Sequence, residues 1–410
     1  MLTARVAVTG MAGITSLGQS WPEVERSLHG NVSGIERMPE WERYTELNTR
    51  LGGPVRNFEL PAHYTRKVTR SMGRVSMLAT RASELALADA GLLDDASIRD
   101  GRMGVAYGSS TGSTDAVRDF GAMLTTGSMG NINATTYLRM MPHTTAANIG
   151  VYFGLKGRVI PASSACTSGS QSIGYAYESI RYGKQTLMVA GGAEELCVSE
   201  AAVFDTLFAT SRRNDAPKTS PRPFDRDRDG LVIGEGAGSL VLENYDHARA
   251  RGARIHAELV GFGSNSDGDH LTHPNTKTME RAMQLALEDA GLAPTQVGYI
   301  NAHATATEHG DIAETQATYR LFGTATPVSA LKGHMGHTLG ACGAIESWLT
   351  ISMMNSGWFA PTLNLTTVDE RCGDLDYIQR EGRRFDCEYG MNNNFAFGGI
   401  NTSLIFRRAT

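Results

Sequence analysis

The chain has 410 residues, with 38 Lys+Arg against 43 Asp+Glu and a formal net charge of −5. A balance this close to neutral excludes a protein that grips nucleic acid mainly by charge. Apolar residues at 41% and charged ones at 20% exclude a disordered chain.

Five cysteines (Cys166, Cys197, Cys342, Cys372 and Cys387) form no CxxC pair, and the N-terminus carries no charged-then-apolar leader. Both features point to a reducing cytoplasm. The longest uncharged apolar stretch, Ser347 to Val368, is broken by Asn355-Ser356-Gly357 and Pro361. It reads as a buried helix, a turn and a strand, so no membrane association is expected.

In chain order, Val6–Thr9, Gly104–Tyr107, Leu187–Ala190, Ser239–Leu242 and Ser403–Phe406 read as strands between amphipathic helices. Val8 to Gly18 imitates a dinucleotide loop, but no acidic residue follows a second strand, so no nicotinamide site is expected. The chain also repeats itself. Residues 82–92 (ASELALADAGL) and 282–292 (AMQLALEDAGL) agree at eight of eleven positions, and each helix ends on a glycine, Gly91 or Gly291. Pro161–Cys166 aligns with Pro327–Lys332, and a Gly-rich small-residue helix follows each, Ser168–Tyr182 and His337–Met354. Two similar halves are expected, 1–250 and 251–410. The fold class is α/β, with sheets covered on both faces and shared helices between them, a five-layer αβαβα sandwich.

Cys166 stands where a strand meets a small-residue helix. A helix N-terminus stabilises a thiolate and small neighbours admit a substrate, so Cys166 is the candidate nucleophile. The repeat sets Lys332 at the equivalent place. His303 follows the strand Val297–Ile300, and His337 is expected to begin the helix after Lys332. Strand-to-helix loops are where open α/β sheets hold ligands. His334-x-x-His337 and His270-x-x-His273 lack the partners of a zinc motif, so no metal is expected. Asn392 to Asn401 combines Phe395 and Phe397 with Gly398-Gly399, and reads either as a hairpin turn or as an aromatic gate.

These motifs resemble those of the β-ketoacyl-acyl-carrier-protein synthases that elongate acyl chains, within the thiolase superfamily. The resemblance rests on Ala165-Cys166-Thr-Ser-Gly, Arg222-Pro-Phe-Asp-Arg-Asp-Arg-Asp-Gly230 with Gly234-Glu-Gly-Ala-Gly238, Asn301-Ala-His303 with Gly310-Asp311, Lys332 with Gly336-His337, and Phe397-Gly-Gly. It runs nearly end to end and implies a thiolase-like fold and an acyltransferase. The implied reaction is decarboxylative condensation of an acyl thioester with malonyl-acyl-carrier protein. Cys166, His303 and His337 would form a Cys-His-His site with Lys332 in electrostatic support. Phe397 would be the gate, and its N–H and that of Cys166 the oxyanion hole. Thr305 and Thr307 would touch the phosphopantetheine arm, Phe395 and Thr111 the substrate, and Glu346 would be a structural acid. No bound cofactor is implied, because substrates arrive on the phosphopantetheine of the carrier protein.

Ala304 stands where Gly is usual in that family, and Thr111 where a larger apolar residue lines the acyl pocket. The acyl chain is thus left open between a fatty-acid chain and a polyketide- or polyene-like one. A thiolase would need a second catalytic Cys, for which Cys342 is a faint candidate. A non-catalytic chain-length subunit would lack the nucleophile that is present here. The apolar run Asn148–Leu155 suits a dimer interface, either with itself or with a related subunit. Arg66, Lys67, Arg70, Arg212 and Arg213 are the candidates for docking an acidic carrier protein.

Overall fold

The computed structural model describes residues 3–409. The first half contributes β1 (Val6–Ile14), α1 (Arg74–Asp89), β2 (Met103–Gly108), α2 (Thr144–Phe153), β3 (Val159–Ala162), α3 (Ser168–Arg181), β4 (Leu187–Glu194) and β5 (Gly236–Asn244). The second contributes β6 (Ala257–Ser266), α4 (Thr276–Ala290), β7 (Val297–Asn301), α5 (Glu308–Phe322), β8 (Pro327–Ser329), α6 (Cys342–Ser356), β9 (Tyr389–Ala396) and β10 (Ile400–Arg408). Across the sheet the strands run β3-β2-β4-β5-β1 in the first half and β8-β7-β9-β10-β6 in the second, with Asp376–Tyr377 added outside β8. The two orders are the same, element for element.

Strands such as β4 and β5 are buried along nearly their whole length, as strands covered on both faces must be. The outer layers are α1 with α2 and α4 with α5, while α3 and α6 lie between the halves and touch strands of both. Two separate sheets are expected from the sequence. Instead, β1 and β6 pair antiparallel over Val6–Val8 and Ala257–Leu259, so eleven strands share one ladder.

The sequence repeat marks a packing device used twice. A Cβ on Gly10 would lie 2.2 Å from Ala86 O, and one on Gly261 would lie 2.4 Å from Ala286 O. Only a bare backbone on the strand, facing alanine on the helix, permits that approach. Beside each contact the strand carries a register shift. The freed N–H groups of Met11 and Phe262 bond Asp89 and Asp289, at 3.0 and 3.1 Å. The repeated Ala and Asp therefore belong to strand–helix closure. Gly91 and Gly291 both adopt φ +67° beyond their helices, as the repeat predicts.

Val8–Ile14, the stretch that imitates a dinucleotide loop, lies within β1, and Thr15 and Gly18 exchange backbone hydrogen bonds in a tight turn. One expectation is corrected. The run Asn148–Leu155 lies in α2 and the turn after it. Ile149 and Phe153 are buried against α1 and Val151 alone is widely exposed, so most of that run is core and not interface.

Gly261→Val should destabilise the fold by about 1–3 kcal/mol through overpacking against Ala286. The denaturant midpoint reads this directly, and an unchanged midpoint would mean that α4 moves away freely.

Candidate active site

Cys166 sits in a single 3₁₀ turn, Ala165–Thr167, between β3 and α3. Ala165 holds φ +49°, a left-handed conformation unusual for a residue with a Cβ. The turn aims the sulfur at a cavity of about 570 Å³, lined by Cys166, His303, His337, Thr305, Thr307, Phe395, Phe397 and Glu314, among others. The second half repeats the turn as Leu339–Ala341 before α6, with Leu339 at φ +47°. The counterpart of Cys166 is thus Gly340 and not Lys332, because an extra turn Lys332–Met335 is inserted after β8. His337 lies between these two turns and does not begin a helix, since α6 starts at Cys342.

Cys166 Sγ lies 3.0 Å from His337 Nε2. His303 stands edge-to-face with His337, ring centroids 5.1 Å apart. The main chain of His337 is fixed by Val232 O (2.7 Å) and by the N–H of Gly234 (2.8 Å). Glu314 accepts the N–H groups of His303 and Ala304, both at 2.7 Å. Asp311 accepts those of Ala306 and Phe224 and faces Arg228. These bonds hold a loop in which Ala304 and Ala306 both have positive φ. Ala304 therefore occupies a conformation that favours glycine, held by Glu314.

Lys332 Nζ bonds Glu346 Oε1 at 2.5 Å and His303 Nδ1 at 3.2 Å, with Lys332 and Glu346 almost fully buried. Asn394 Nδ2 donates to Glu346 Oε2 at 2.8 Å. Ammonium has no acceptor, so His303 Nδ1 must accept from Lys332 and its proton sits on Nε2. His337 Nδ1 has no partner, and either of its ring nitrogens is free to carry the proton.

Burial pushes the Cys166 thiol up to about 12, against the pull of the Lys332 charge and of the backbone N–H groups of Phe397 and Cys166. Desolvation thus works against the lowering expected from the helix N-terminus. Burial, and then the Lys332 charge, drives both imidazoles well below the usual histidine range, so both are neutral. Such a site can move a proton between Sγ and His337 Nε2. It can also offer donors to a negative oxygen.

The donor atoms of Cys166, His303 and His337 lie within 4.8 Å of one another, as do those of His303, Cys342 and Glu346. In the second group the Lys332 ammonium already supplies the cation beside Glu346.

Other predicted residues spread more widely. The Oγ1 atoms of Thr305 and Thr307 are 3.0 Å apart in the cavity wall. Phe395 meets His303 edge-on, and Phe397, in the β9–β10 hairpin turn, leans on Phe204. Phe397 thus combines a place in the hairpin turn with one in the cavity wall. Thr111 lies outside the cavity lining, its hydroxyl 3.3 Å from that of Ser110. Arg66, Lys67, Arg70 and Arg212 are exposed and outside the lining, while Arg213 is tied to Asp229 at 3.4 Å and to Asp227 O. The mouth itself carries Leu207, Phe208 and Leu271, and Phe208 is 84% exposed. Glu314 and Asn394 escape sequence reasoning. The Asn392-Asn-Asn run is the one signal that points to Asn394. All five cysteines are free, and the Cys342 thiol donates to Cys166 O at 3.2 Å. Among the described residues no helix is long and apolar enough to cross a membrane.

Comparison with known proteins agrees with this geometry. Residues 3–248 match the profile "Beta-ketoacyl synthase, N-terminal domain", and residues 256–366 match "Beta-ketoacyl synthase, C-terminal domain". The chain is 37% identical to "3-oxoacyl-[acyl-carrier-protein] synthase 2" of Vibrio harveyi, over 100% of this chain and 99% of that protein. It superimposes on a β-ketoacyl synthase from Burkholderia phymatum STM815 with TM-score 0.98 and 62% identity, covering 99% and 100% of the two chains. It also resembles the ishigamide ketosynthase/chain length factor (TM-score 0.90, 29% identity). A third neighbour is AntDE:AntF, a type II PKS acyl-carrier protein in complex with its ketosynthase bound to the hexaketide (TM-score 0.88, 30% identity). Each pair is covered over 100% of both chains. The chain belongs to the β-ketoacyl synthase family, in the thiolase superfamily. It is an acyltransferase of the 3-oxoacyl-acyl-carrier-protein synthase kind.

Alkylation of Cys166 by iodoacetamide, followed on its own peptide by mass spectrometry, should rise about tenfold per pH unit up to about pH 9 without a plateau. The sign follows from a raised thiol, whose reactive anion grows throughout that range. A plateau at or below neutral pH would mean a standing Cys166–His337 ion pair.

Proposed function

We propose that Cys166 is the acyl-accepting nucleophile of this synthase. His303 and His337 would then serve the decarboxylative step. The observation that carries this is the 3.0 Å contact of Sγ with His337 Nε2, beside a second imidazole whose proton is fixed on Nε2 by Lys332.

In the first half-reaction Cys166 sulfur attacks the thioester carbonyl of an acyl group carried on phosphopantetheine. Its proton passes to His337 Nε2 and then to the departing carrier thiol. The carbonyl oxygen gains negative charge beside the N–H groups of Cys166 and Phe397. In the second, malonyl-carrier protein loses CO2 and leaves an enolate. His303 Nε2–H faces that oxygen, and His337 joins as a donor through its Nε2–H tautomer, which its unbonded Nδ1 permits. The enolate carbon attacks the acyl-enzyme, the bond to Cys166 breaks, and the released thiolate regains a proton. Every step is carried by side chains and backbone, so no metal or small cofactor is assigned a part.

Thr305 and Thr307, in the cavity wall, suit the polar stem of phosphopantetheine, and Phe395 the acyl chain. The nucleophile then belongs to the half 1–250 and both imidazoles to 251–410. The AntDE:AntF complex supports a carrier protein as partner, and the ishigamide pair supports a related subunit as an alternative to self-pairing. The exposed cations Arg66, Lys67 and Arg70, with Arg212, supply the charge to attract an acidic carrier.

Cys166→Ala should abolish condensation and retain malonyl decarboxylation. His303→Ala should slow CO2 release by about 10²–10³ while acylation of Cys166 persists. CO2 release and acyl-enzyme mass, measured separately, check both; equal loss of the two steps in His303→Ala would assign that residue to the whole site. Charge reversal at Arg66 and Arg70 together should raise KM for acyl-carrier protein more than for a pantetheine thioester. An equal rise for both substrates would remove these residues from docking.

A further inference from the structure

A second cavity, of about 540 Å³, opens at the corner where β1, the end of α1 and the end of α6 meet. Its walls include Met11, Trp21, Leu85 and Trp348, and its polar groups include Glu25, Asp89, Arg254 and His256. No residue of this cavity lines the one at Cys166.

His256 is the unusual member. It is 5% exposed, and its Nε2 faces Asp89 Oδ2 at 2.8 Å. Nδ1 meets no partner at all. A buried polar atom without a partner is costly, and one in a cleft asks for a ligand or ordered water.

The internal duplication supplies a control, because the same corner exists in the other half. There Asp289 corresponds to Asp89, Phe262 to Met11, and Gly174 on α3 to Trp348 on α6. Asp289 accepts from Tyr177 OH at 2.9 Å and from the Phe262 N–H, and pairs with Arg181 at 3.4 Å. The Phe262 ring packs where a Cβ on Gly174 would lie. That corner is closed by its own side chains. The corner at Asp89 has the same carboxylate and backbone bond, but no hydroxyl reaches it.

The groups that line the cleft decide the ligand's chemistry. Asp89 and Glu25 bring carboxylates and His256 an unpartnered ring nitrogen, and the Trp21 and Trp348 indoles offer flat apolar faces suited to a ring or a cation. Arg254 is the one base at the rim. We propose that this cleft is a second ligand site, taking a small amine built on an apolar ring.

Phenethylamine is a suitable probe, with phenylacetate as the same ring carrying the opposite charge. In protein labelled with 5-fluorotryptophan, the ¹⁹F signals of Trp21 and Trp348 should shift saturably with phenethylamine, with a midpoint of about 1–10 mM as expected for so small a ligand. Those of Trp41 and Trp358 should not move. Phenylacetate should be at least tenfold weaker (about 1.4 kcal/mol). Prior alkylation of Cys166 should change nothing. His256→Phe should raise the midpoint at least about tenfold, and Trp21→Ala, at a half-buried position, should weaken the Trp348 shift even if the first variant fails to fold. Absence of saturation by about 50 mM, equal binding of phenylacetate, loss of binding on Cys166 alkylation, or an unchanged midpoint in both variants would overturn the proposal.

Discussion

The buried contact of Lys332 with Glu346 and His303 is the constraint around which the second half is arranged. Removing one partner would strand a charge in a dry interior, at a cost of about 3–5 kcal/mol. The pair therefore holds together the turn after β8, the first turns of α6 and, through Asn394, strand β9. The same ammonium fixes the proton of His303, lowers both imidazoles and pulls against the desolvation of Cys166. One charge thus bears on the protonation of three neighbours, second to burial at each. The asymmetry between the histidines follows from it: His303 is tied at Nδ1, and His337 is not.

The duplicated fold explains why only one half carries a nucleophile. The strained turns at Ala165 and Leu339 bring α3 and α6 together at their starts, where a Cβ on Gly169 would lie 2.9 Å from Gly340 O. A Cβ on Gly340 itself would lie 2.6 Å from Glu194 Oε2. Glu194 is engaged there by Ser109, the Ser110 N–H and the Gly340 N–H. The second turn is therefore used as packing, and Cys166 alone faces the cavity. The second half contributes Lys332 and His337 from the stretch before its own turn, and His303 from the loop after β7.

Much of this was legible in the sequence. The strand and helix runs, the repeat at 82–92 and 282–292, and the grouping of Cys166, His303 and His337 at one cavity with Lys332 behind His303 follow from local pattern and from resemblance. What failed depended on contacts between distant segments. The sequence matches Lys332 to Cys166 because β3 and β8 align, and an extra turn of helix after β8 leaves no trace in the spacing of Pro327 and Lys332. The run Asn148–Leu155 is apolar, but which face of α2 meets α1 cannot be read from the run itself. Glu314 and Asn394 are single polar residues in helix and strand, and their partners lie on other elements. The helix that would lower the Cys166 thiol is visible in the sequence, whereas the depth of its burial is not.

The tautomer and charge of His303 test the central claim most directly. In protein labelled with ¹⁵N-histidine, His303 should show an unprotonated Nδ1 and a protonated Nε2 from about pH 8 down to about pH 5.5, below the ordinary histidine range. A proton on Nδ1, or an imidazolium at neutral pH, would mean that Lys332 does not donate to His303 and that the arrangement of charge described here is wrong.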